Sequence, residues 1–432
     1  MKLNPFANLS NPREVVAWGV YDLANQSFQL LINTLLFGIF LAEVVIVPDA
    51  EGAPSGDRAW VTMVATSLIL VVVLSPVLGA LADVRAWKRE MLLATGIICS
   101  ILTACLAFLQ PGQVWIAGAL YVTAALACGL GENFLASFLP EISTPKNIGF
   151  VSALGWTMSY VGALILLGIT VGVVYGLGLD DETSSRVLFF FAGIWFFAGM
   201  IPAMLHLRER ARPVRAKETT AVANAFGRLM QSAKETRKHR RLARFLIIFF
   251  IYSMATQTMI YFLGLIGKSL DFELPELLLF ALVIAITAGC ASACTAKFQD
   301  SAGHRRTIMF FLAVWVITAS AMALASLGSL PRWMVWTVSA GVGLGLGGIG
   351  TASRALVGVL TPIERAAEFF GLWGMVYKLA GVAGPLLFAL VSTAAPLGEY
   401  GRAVGLLMLA GIFGLGLAMM STVDDTPPSY PT

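Results

Sequence analysis

Long apolar runs, separated by short polar or charged clusters, extend over almost the whole chain. A helix needs about 20 mainly apolar residues to cross a membrane. The runs therefore predict an all-α membrane protein with twelve transmembrane helices. The predicted spans cover residues 15–42, 59–82, 90–110, 114–138, 148–176, 186–206, 242–266, 274–296, 306–327, 333–360, 366–394 and 400–421.

The composition agrees with a lipid environment. Of the 432 residues, 58% are hydrophobic and 12% are charged, whereas soluble domains have about 45–50% and about 25%. This excludes a water-soluble enzyme. The chain has no basic stripe interleaved with aromatic residues, so we expect no nucleic-acid partner. The five cysteines lie in apolar runs, which predicts buried free thiols, no disulfide and no metal site.

Lysine and arginine are concentrated in the loops on one side of the predicted membrane. They are densest in residues 207–241, between the sixth and seventh spans, and acidic residues mark the opposite loops. By the positive-inside rule, both termini lie in the cytoplasm of a multi-pass cell (inner) membrane protein. An amphipathic stretch at 223–230 predicts a helix along the inner surface, with a plain solvated linker as the alternative.

The two halves of the sequence repeat each other. Adding 217 to a first-half position often gives the same residue type in the second half. The pairs are Asp83 and Asp300, Lys88 and Arg305, Arg89 and Arg306, Trp156 and Trp373, and Tyr160 and Tyr377. Two halves in the same orientation describe the parallel repeat of the major facilitator architecture. We predict an N-terminal six-helix bundle at 1–206, a basic cytoplasmic linker at 207–241 and a C-terminal six-helix bundle at 242–432.

A motif at the end of the second span resembles the major facilitator signature Gly-x-x-x-Asp-x-x-Gly-x-basic-basic, and the second half carries a copy. A carboxylate there can accept hydrogen bonds from the start of a neighbouring helix, and the glycine lets helices approach closely. We predict a conformational gate, although a basic turn that obeys the positive-inside rule would look similar. The predicted gating residues are Gly79, Asp83, Arg85, Lys88, Arg89, Asp300, Gly303, Arg305 and Arg306.

The first span carries a stripe of polar residues at helical spacing. Asp22, Asn25, Gln26 and Gln29 occupy positions i, i+3, i+4 and i+7, and Asn33 extends the stripe. Polar groups facing hydrocarbon are costly, so the stripe must face protein or water. The seventh span carries a second set of polar residues, Thr256 and Gln257. We interpret both sets as cavity walls, and hydrogen bonding between helices is the alternative.

Four ionisable residues lie clearly within the spans, away from their ends: Asp22, Glu132, Arg354 and Lys378. At about 1.5 Å per residue, the first three share one layer in the cytoplasmic half. Charges at this depth usually mark substrate or ion pathways. The alternatives are a structural ion pair for the acids and snorkelling of Arg354 to the inner surface.

Several short motifs together resemble the autophagy-related vacuolar effluxer family of the major facilitator superfamily, which has many bacterial members. They are Trp18-x-x-Tyr21-Asp22-x-Ala24-Asn25, Phe138-Leu139-Pro140-Glu141, Ser353-Arg354, and Glu368-Phe369-Phe370-Gly371 with Lys378. The resemblance implies the twelve-helix fold and, by analogy with the fungal members, export of amino acids. The chain departs from the family at Met254-Ala255, where an Asp-Gly pair is usual, and at Gly350, where Gln is usual.

These observations predict a secondary active transporter of a small solute, an amino acid or similar zwitterion, that works by alternating access. Arg354 and Lys378 would attract a carboxylate, and Asp22 or Glu132 would hold an amine or a coupling proton. Asn25, Gln26, Gln29, Thr256 and Gln257 would set the orientation.

Other functions remain open at this point. They are transport of a sugar, peptide, nucleoside or drug, and a non-transporting sensor with the same fold. An intramembrane enzyme is disfavoured because the three histidines lie at or beyond the predicted surface. No cofactor motif is visible, since the glycine run at 341–350 lacks the strand and the Lys-Ser/Thr of a phosphate loop. We expect a monomer in the lipid bilayer.

Overall fold

The computed structural model describes residues 9, 11–46, 56–176, 178–210, 239–268, 274–329, 331–392 and 400–426. Within these residues, twelve helices are long and apolar enough to cross a membrane. The predicted all-α fold with twelve spans is therefore confirmed. The predicted surface helix at 223–230 and most of the predicted linker lie outside the described residues.

The helices follow the predicted order. The first half contains α1 (Pro12–Val45), α2 (Gly56–Arg85), α3 (Lys88–Cys105), α4 (Val114–Ser137), α5 (Ile148–Gly176) and α6 (Asp181–His206). The second half contains α7 (Arg240–Lys268), α8 (Leu274–Ala302), α9 (His304–Ser326), α10 (Arg332–Leu360), α11 (Ala366–Ser392) and α12 (Gly401–Met420). A single helical turn, Leu139–Ile142, follows α4, and a 3₁₀ turn, Ile363–Arg365, precedes α11.

Each of the two gating motifs contains one residue with a left-handed backbone, which separates the helix before it from the helix after it. Ala86, with φ of 53°, lies between α2 and α3, and Gly303, with φ of 91°, lies between α8 and α9. A helix cannot continue through such a residue, so each motif ends in a sharp corner. One further residue, Trp87, follows Ala86 before α3 begins, whereas α9 begins directly after Gly303.

Helix α1 is α-helical only over its first part. It continues as a π-helix over Ser27–Leu36 and again over Leu41–Val45. The wider turn is supported by Thr34, whose hydroxyl donates to the carbonyl of Gln29, five residues earlier, at 2.8 Å. π-Helical turns are rare and often occur at functional sites. The regular spacing of the predicted polar stripe therefore ends near residue 26.

The chain divides into two compact units that follow the sequence halves except for two exchanged segments. The first unit contains α1 to α4, α5 from Met158, α6, and the chain from Ile363 to Gly374 at the start of α11. The second unit contains residues 143–157 at the start of α5, α7 to α10, α11 from Met375, and α12. Two helices, α5 and α11, thus each contribute to both units.

Each unit has its own aromatic core. In the first unit, Phe37 of α1 stacks on Tyr121 of α4 with centroids 5.2 Å apart, and both residues are fully buried. In the second unit, Trp315 of α9 stacks on Phe413 of α12 at 4.9 Å. These pairs join helices that are distant in sequence, and such aromatic contacts stabilise a fold beyond the area they bury.

The prediction of buried thiols is wrong for part of the set. Cys99 and Cys128 are buried and Cys105 is half-buried, but Cys290 and Cys294 on α8 are exposed. All five are free. The apolar runs could not separate buried from lipid-facing positions, because a lipid-facing helix surface is as apolar as a packed one.

Candidate functional site

The clearest polar site in the first unit surrounds the carboxylate of Glu132 on α4. Gln29 of α1 donates from its side-chain amide to Glu132 Oε1 at 2.6 Å, and Asn25 donates to the same oxygen at 3.3 Å. Asn25 is 2% exposed, whereas Glu132 and Gln29 are half-buried. The carboxylate is therefore solvated by two amides of α1 and keeps partial access to its surroundings.

Cys128 completes this group, which we call the Glu132 cluster (Asn25, Gln29, Cys128 and Glu132). It lies one turn before Glu132, and its thiol donates to Asn25 Oδ1 at 3.0 Å. Gln29 Nε2 lies 3.6 Å from its sulfur. The thiol orients Asn25, so that the amide of Asn25 points its nitrogen at the carboxylate.

The polar contacts between α1 and α4 continue beyond the cluster. Tyr121 donates from its hydroxyl to Asn33 Oδ1 at 2.6 Å, and Asn33 donates to Gln29 Oε1 at 3.5 Å. The prediction that the stripe faces protein or water is confirmed, and α4 is one of its partners. That these groups also line a transport cavity stays a prediction.

The other stripe residues lie next to the cluster. Asp22 is 8% exposed, and its backbone carbonyl accepts from the hydroxyl of Ser159 on α5 at 3.4 Å. Gln26 is half-buried. Neither of the two acids predicted at membrane depth in the first half, Asp22 or Glu132, is exposed.

The predicted residues of the second unit fall into two places. Gln257 and Thr256 on α7 are each 6% exposed, and Gln257 Nε2 lies 3.1 Å from the position that a Cβ at Gly381 would occupy. Gln257 thus packs against α11 one turn beyond Lys378. Lys378 is half-buried, and its ammonium lies 5.9 Å from the ring centroid of Tyr377.

Arg354 on α10 lies in a different environment. It is 5% exposed, and its guanidinium donates to the backbone carbonyl of Ser152 at 2.7 Å and to the Ser152 hydroxyl at 3.3 Å. It also lies over the ring of Trp156 at 5.5 Å. Both partners belong to the start of α5, within the same compact unit. Arg354 is therefore buried in protein in this conformation, and it does not extend to the inner surface as the snorkelling alternative requires.

The aspartates of the two gating motifs make equivalent contacts. Asp83 accepts from the backbone N–H groups of Ala367 at 3.1 Å and Glu368 at 2.7 Å, at the start of α11. Asp300 accepts from the N–H groups of Gly149 at 2.7 Å and Phe150 at 2.8 Å, at the start of α5. A carboxylate at a helix N-terminus satisfies free donors and the helix dipole.

Glycines bring these helices together. A Cβ at Gly79 of α2 would lie 2.4 Å from the carbonyl oxygen of Ala367, and a Cβ at Gly149 would lie 2.5 Å from Asp300 Oδ1. Both distances are far below van der Waals contact, so a larger residue would separate the aspartates from the helix starts. Gly303 has another role, since it forms the left-handed corner before α9.

In the part of the chain that the structure describes, each contact found for the basic residues of the first motif is with an element of the first half. Lys88 forms an ion pair with Glu141, and both side chains are fully buried. Arg89 donates from Nε to the carbonyl of Leu207 at 2.9 Å, just beyond α6. Its backbone N–H donates to Glu209 at 3.2 Å. Arg85 is exposed and lies 4.6 Å from the ring of Trp87.

In the second motif, Arg305 takes the place that Arg89 has in the first. Its backbone N–H donates to Asp425 at 3.0 Å, and its guanidinium donates to the carbonyl of Val423 at 3.1 Å, just beyond α12. The sequence pairing of Arg89 with Arg306 is therefore wrong by one residue. The reason is the extra residue Trp87 between the corner and α3. Arg306 is exposed.

The sequence did not reveal the acidic residues that hold the chain beyond α6. Glu14, 3% exposed, accepts from the guanidinium of Arg210 at 2.5 Å and from the backbone N–H of Arg208 at 3.0 Å. Glu14 holds the pKa of Arg210 above its usual value. Burial raises the pKa of Glu209 to about 6. The only sign of these contacts in the sequence was a single acidic residue surrounded by basic ones.

Among the described residues, no group of three or more His, Cys, Asp and Glu side chains is placed to hold a metal ion. The Glu132 cluster offers a single carboxylate with amide and thiol neighbours. Such a set suits a proton, an ammonium group or a hydrogen-bonding solute better than a divalent cation, which takes several oxygen ligands.

Comparison with known proteins gives concordant results. A family described as vacuole effluxer Atg22 like matches residues 59–426. An uncharacterized MFS-type transporter, YxiO of Bacillus subtilis, is 27% identical over 418 residues, 95% of this chain and 94% of the relative. Autophagy-related protein 22-1 of Aspergillus niger is 27% identical over 293 residues, 63% of this chain and 47% of the relative. The chain thus spans about half the length of that fungal protein.

Solved structures share the fold. The human organic anion transporter MFSD10 (TETRAN) superposes with a TM-score of 0.74 at 15% identity, covering 94% of this chain and 99% of that one. The proton:xylose symporter XylE, bound to 6-bromo-6-deoxy-D-glucose, superposes with a TM-score of 0.72 at 12% identity, covering 95% of each chain. At these identities the likeness shows the major facilitator fold and nothing about the substrate.

Proposed function

Because the chain belongs to the Atg22-like family of the major facilitator superfamily, we propose that it is a secondary active transporter whose solute is an amino acid or a similar zwitterion. The proposal includes the orientation predicted from the loop charges, with both termini in the cytoplasm of the cell membrane. It also includes alternating access of the two six-helix halves, 1–206 and 242–432, and a monomer as the working form.

The Glu132 cluster carries this proposal. A carboxylate at membrane depth is costly to bury, so such residues usually serve a function. Here two amides stabilise it at 2.6 and 3.3 Å while leaving it half-buried. An ammonium group of the solute can bind the carboxylate and the amide oxygens together. Asp22 is the second acid for this role, and Gln26 is a further polar group at the same end.

The second unit contains a separate set of polar groups that suits an anion. Lys378 supplies an ammonium group, and the buried Gln257, one turn away on the facing helix α7, supplies an amide donor. Thr256, whose hydroxyl donates to the carbonyl of Tyr252 at 3.1 Å, keeps its oxygen as an acceptor. An ammonium beside an amide is a suitable anion partner because both groups donate hydrogen bonds.

Competition between a proton and the solute at Glu132 provides a route to coupling. Only the ionised carboxylate attracts an ammonium group, and the hydrogen bonds from Gln29 and Asn25 are stronger to a charged oxygen than to a protonated acid. A proton on Glu132 would therefore displace the solute. The expected coupling is exchange of one proton for one zwitterion, driven by a proton gradient.

Counterflow in proteoliposomes tests the substrate class. Purified protein should accumulate a labelled amino acid against an excess of the same unlabelled amino acid inside. Glu132→Gln should reduce the initial rate at least about tenfold, the effect of losing one charge-assisted contact of about 1.5–3 kcal/mol. Glu364→Gln is the matched control, because Glu364 is exposed.

The panel should include sugars, peptides, nucleosides and cationic drugs beside amino acids. Counterflow of one of these solutes without counterflow of any zwitterion would refute the substrate assignment. Absence of counterflow for every solute, with folded protein, would favour the non-transporting sensor. A rate for Glu132→Gln equal to that of the control would remove Glu132 from the site.

A further inference from the structure

The start of α5 is attached to second-half helices by several polar contacts. Residues 148–157 belong to the second compact unit, whereas α5 from Met158 belongs to the first. Besides Asp300, Ser292 of α8 donates from its hydroxyl to the carbonyl of Ala153 at 3.0 Å, and Ser152 donates to the carbonyl of Thr351 at 2.8 Å. We call these contacts the α5 attachment.

Arg354 is the charged member of the α5 attachment. Its Nη2 donates to the Ser152 carbonyl at 2.7 Å, its Nε lies 3.3 Å from the Ser152 hydroxyl, and its guanidinium covers Trp156 at 5.5 Å. Hydrogen bonds from a charged donor are stronger than neutral ones. Since Arg354 is 5% exposed, separating α5 from α10 removes partners from a buried cation, which is costly.

The corresponding attachment of α11 in the first unit lacks an equivalent arginine contact at the repeat-related position. The residue 217 positions before Arg354 is Ser137, whose hydroxyl donates to Phe134 of its own helix at 2.7 Å. Asn133 of α4 packs closely against α11, because a Cβ at Gly374 would lie 1.9 Å from its side-chain oxygen. The two attachments share their aspartates but differ in this arginine.

We propose that Arg354 is a positioning residue that holds the start of α5 on α10 and thereby sets how readily this attachment opens during transport. In alternating access, α5 moves with the first-half helices, so residues 148–157 must leave α8 and α10 in one half-cycle. Arg354 then exchanges Ser152 for water or lipid headgroups. The inference rests on the alternating-access cycle proposed above and is independent of the solute.

Thiol accessibility tests this assignment without any substrate. In a background whose five natural cysteines are replaced, Ala153→Cys reports on the α5 attachment and Ala367→Cys reports on the α11 attachment. Both alanines are buried, at 0% and 1% exposure. The protein is reconstituted in nanodiscs, so that a water-soluble maleimide reaches both faces, and the labelling rates are measured with and without Arg354→Gln.

Arg354→Gln should raise both labelling rates at least about tenfold, because a hydrogen bond to a charged group is lost in the closed state. Arg354→Lys should give an intermediate rate, since an ammonium can still donate to the Ser152 carbonyl but lacks the planar, rigidly spaced donors of a guanidinium. Ser137→Ala, the repeat-related control, should leave both rates unchanged. Ser152→Ala should have a smaller effect than Arg354→Gln and serves if the latter fails to fold.

Two results would overturn the proposal. Unchanged labelling of Ala153→Cys in Arg354→Gln would show that Arg354 does not hold α5. A rise at Ala153→Cys without a rise at Ala367→Cys would show local loosening of one helix and no change in the transport equilibrium. Neither result depends on the solute, so a failure of the zwitterion assignment is seen separately in the counterflow assay.

Discussion

Loss of one partner from the buried ion pair between Lys88 and Glu141 should cost more stability than any exposed pair in the chain. Lys88 begins α3 and Glu141 lies in the turn after α4, and both side chains are 0% exposed. Lys88→Met takes the ammonium partner away from the buried carboxylate of Glu141. Breaking a buried pair in this way costs about 3–5 kcal/mol, because the remaining charge loses the interaction that offset its desolvation.

The double variant separates this effect from packing. Lys88→Met with Glu141→Gln removes both charges and leaves an oxygen at residue 141 for the backbone N–H of Arg210, which donates to Glu141. Neutral replacement of a buried pair is often neutral or stabilising. We therefore expect the double variant to lie within about 1 kcal/mol of the parent, and a coupling free energy of at least about 3 kcal/mol.

Unfolding in mixed micelles titrated with dodecyl sulfate, followed by tryptophan fluorescence, measures these free energies. The chain contains ten tryptophans. Glu182→Gln is the control, because Glu182 pairs with Arg186 on the surface of α6 and is 48% exposed. Its loss should cost at most about 0.5 kcal/mol. Costs of Lys88→Met and Glu141→Gln that simply add in the double variant would refute the reasoning.

Two further predictions concern the corners beside this pair. Ala86→Gly should stabilise the protein by about 0.5–1 kcal/mol in the same assay, because Ala86 has φ of 53° and a left-handed non-glycine residue costs about 1–2 kcal/mol, partly offset by glycine's greater freedom when unfolded. Gly303→Ala should lower the stability, and a change of the same sign for both variants would contradict the role of the left-handed backbone. Burial raises the pKa of Glu209 from 4.5 to about 6, so the folded state binds the proton more tightly and stability should fall as the pH rises from 4.5 to 6. Glu209→Gln should flatten this slope, and an unchanged slope would assign it to another group.

The sequence was sufficient for the fold because the spans depend on local hydrophobicity, which needs no knowledge of packing. The repeat also placed Asp83 and Asp300 correctly as equivalent residues, since each precedes a left-handed corner by three positions. The same offset fails for the pair of Arg89 and Arg306, because the extra residue Trp87 shifts the register before α3. An offset read from identical letters does not detect a single inserted residue between two matches.

The polar stripe of α1 shows a second limit. Its spacing assumed a regular α-helix, and the π-helical turns from Ser27 onward change the direction of every later side chain. The stripe nevertheless meets α4, because Cys128 and Glu132, which lie at helical spacing themselves, supply the partners for Asn25 and Gln29. Helix class within an apolar run cannot be read from hydrophobic periodicity, since the whole run is apolar.

Arg354 shows why burial of a charge does not by itself identify a binding group. Its depth in α10 suggested a substrate contact, which stays a prediction, and the structure gives it hydrogen bonds to Ser152 within the protein. Glu132 differs, because Gln29 and Asn25 bind it through neutral amides and it stays half-buried. A carboxylate solvated by amides keeps its charge available to a proton or an ammonium group, whereas a guanidinium bound to a backbone carbonyl already has a structural use.

The residues of the two gating motifs also fall into two groups, which differ in whether they contact the other sequence half. Asp83 and Asp300 bind helix starts that come from the other sequence half, whereas Lys88, Arg89 and Arg305 contact only their own half among the contacts seen. In the proposed alternating-access cycle, a contact inside one half need not break, but a contact to the other half must. The aspartates should therefore control the rate of conformational exchange, while the basic residues should control the stability of each half.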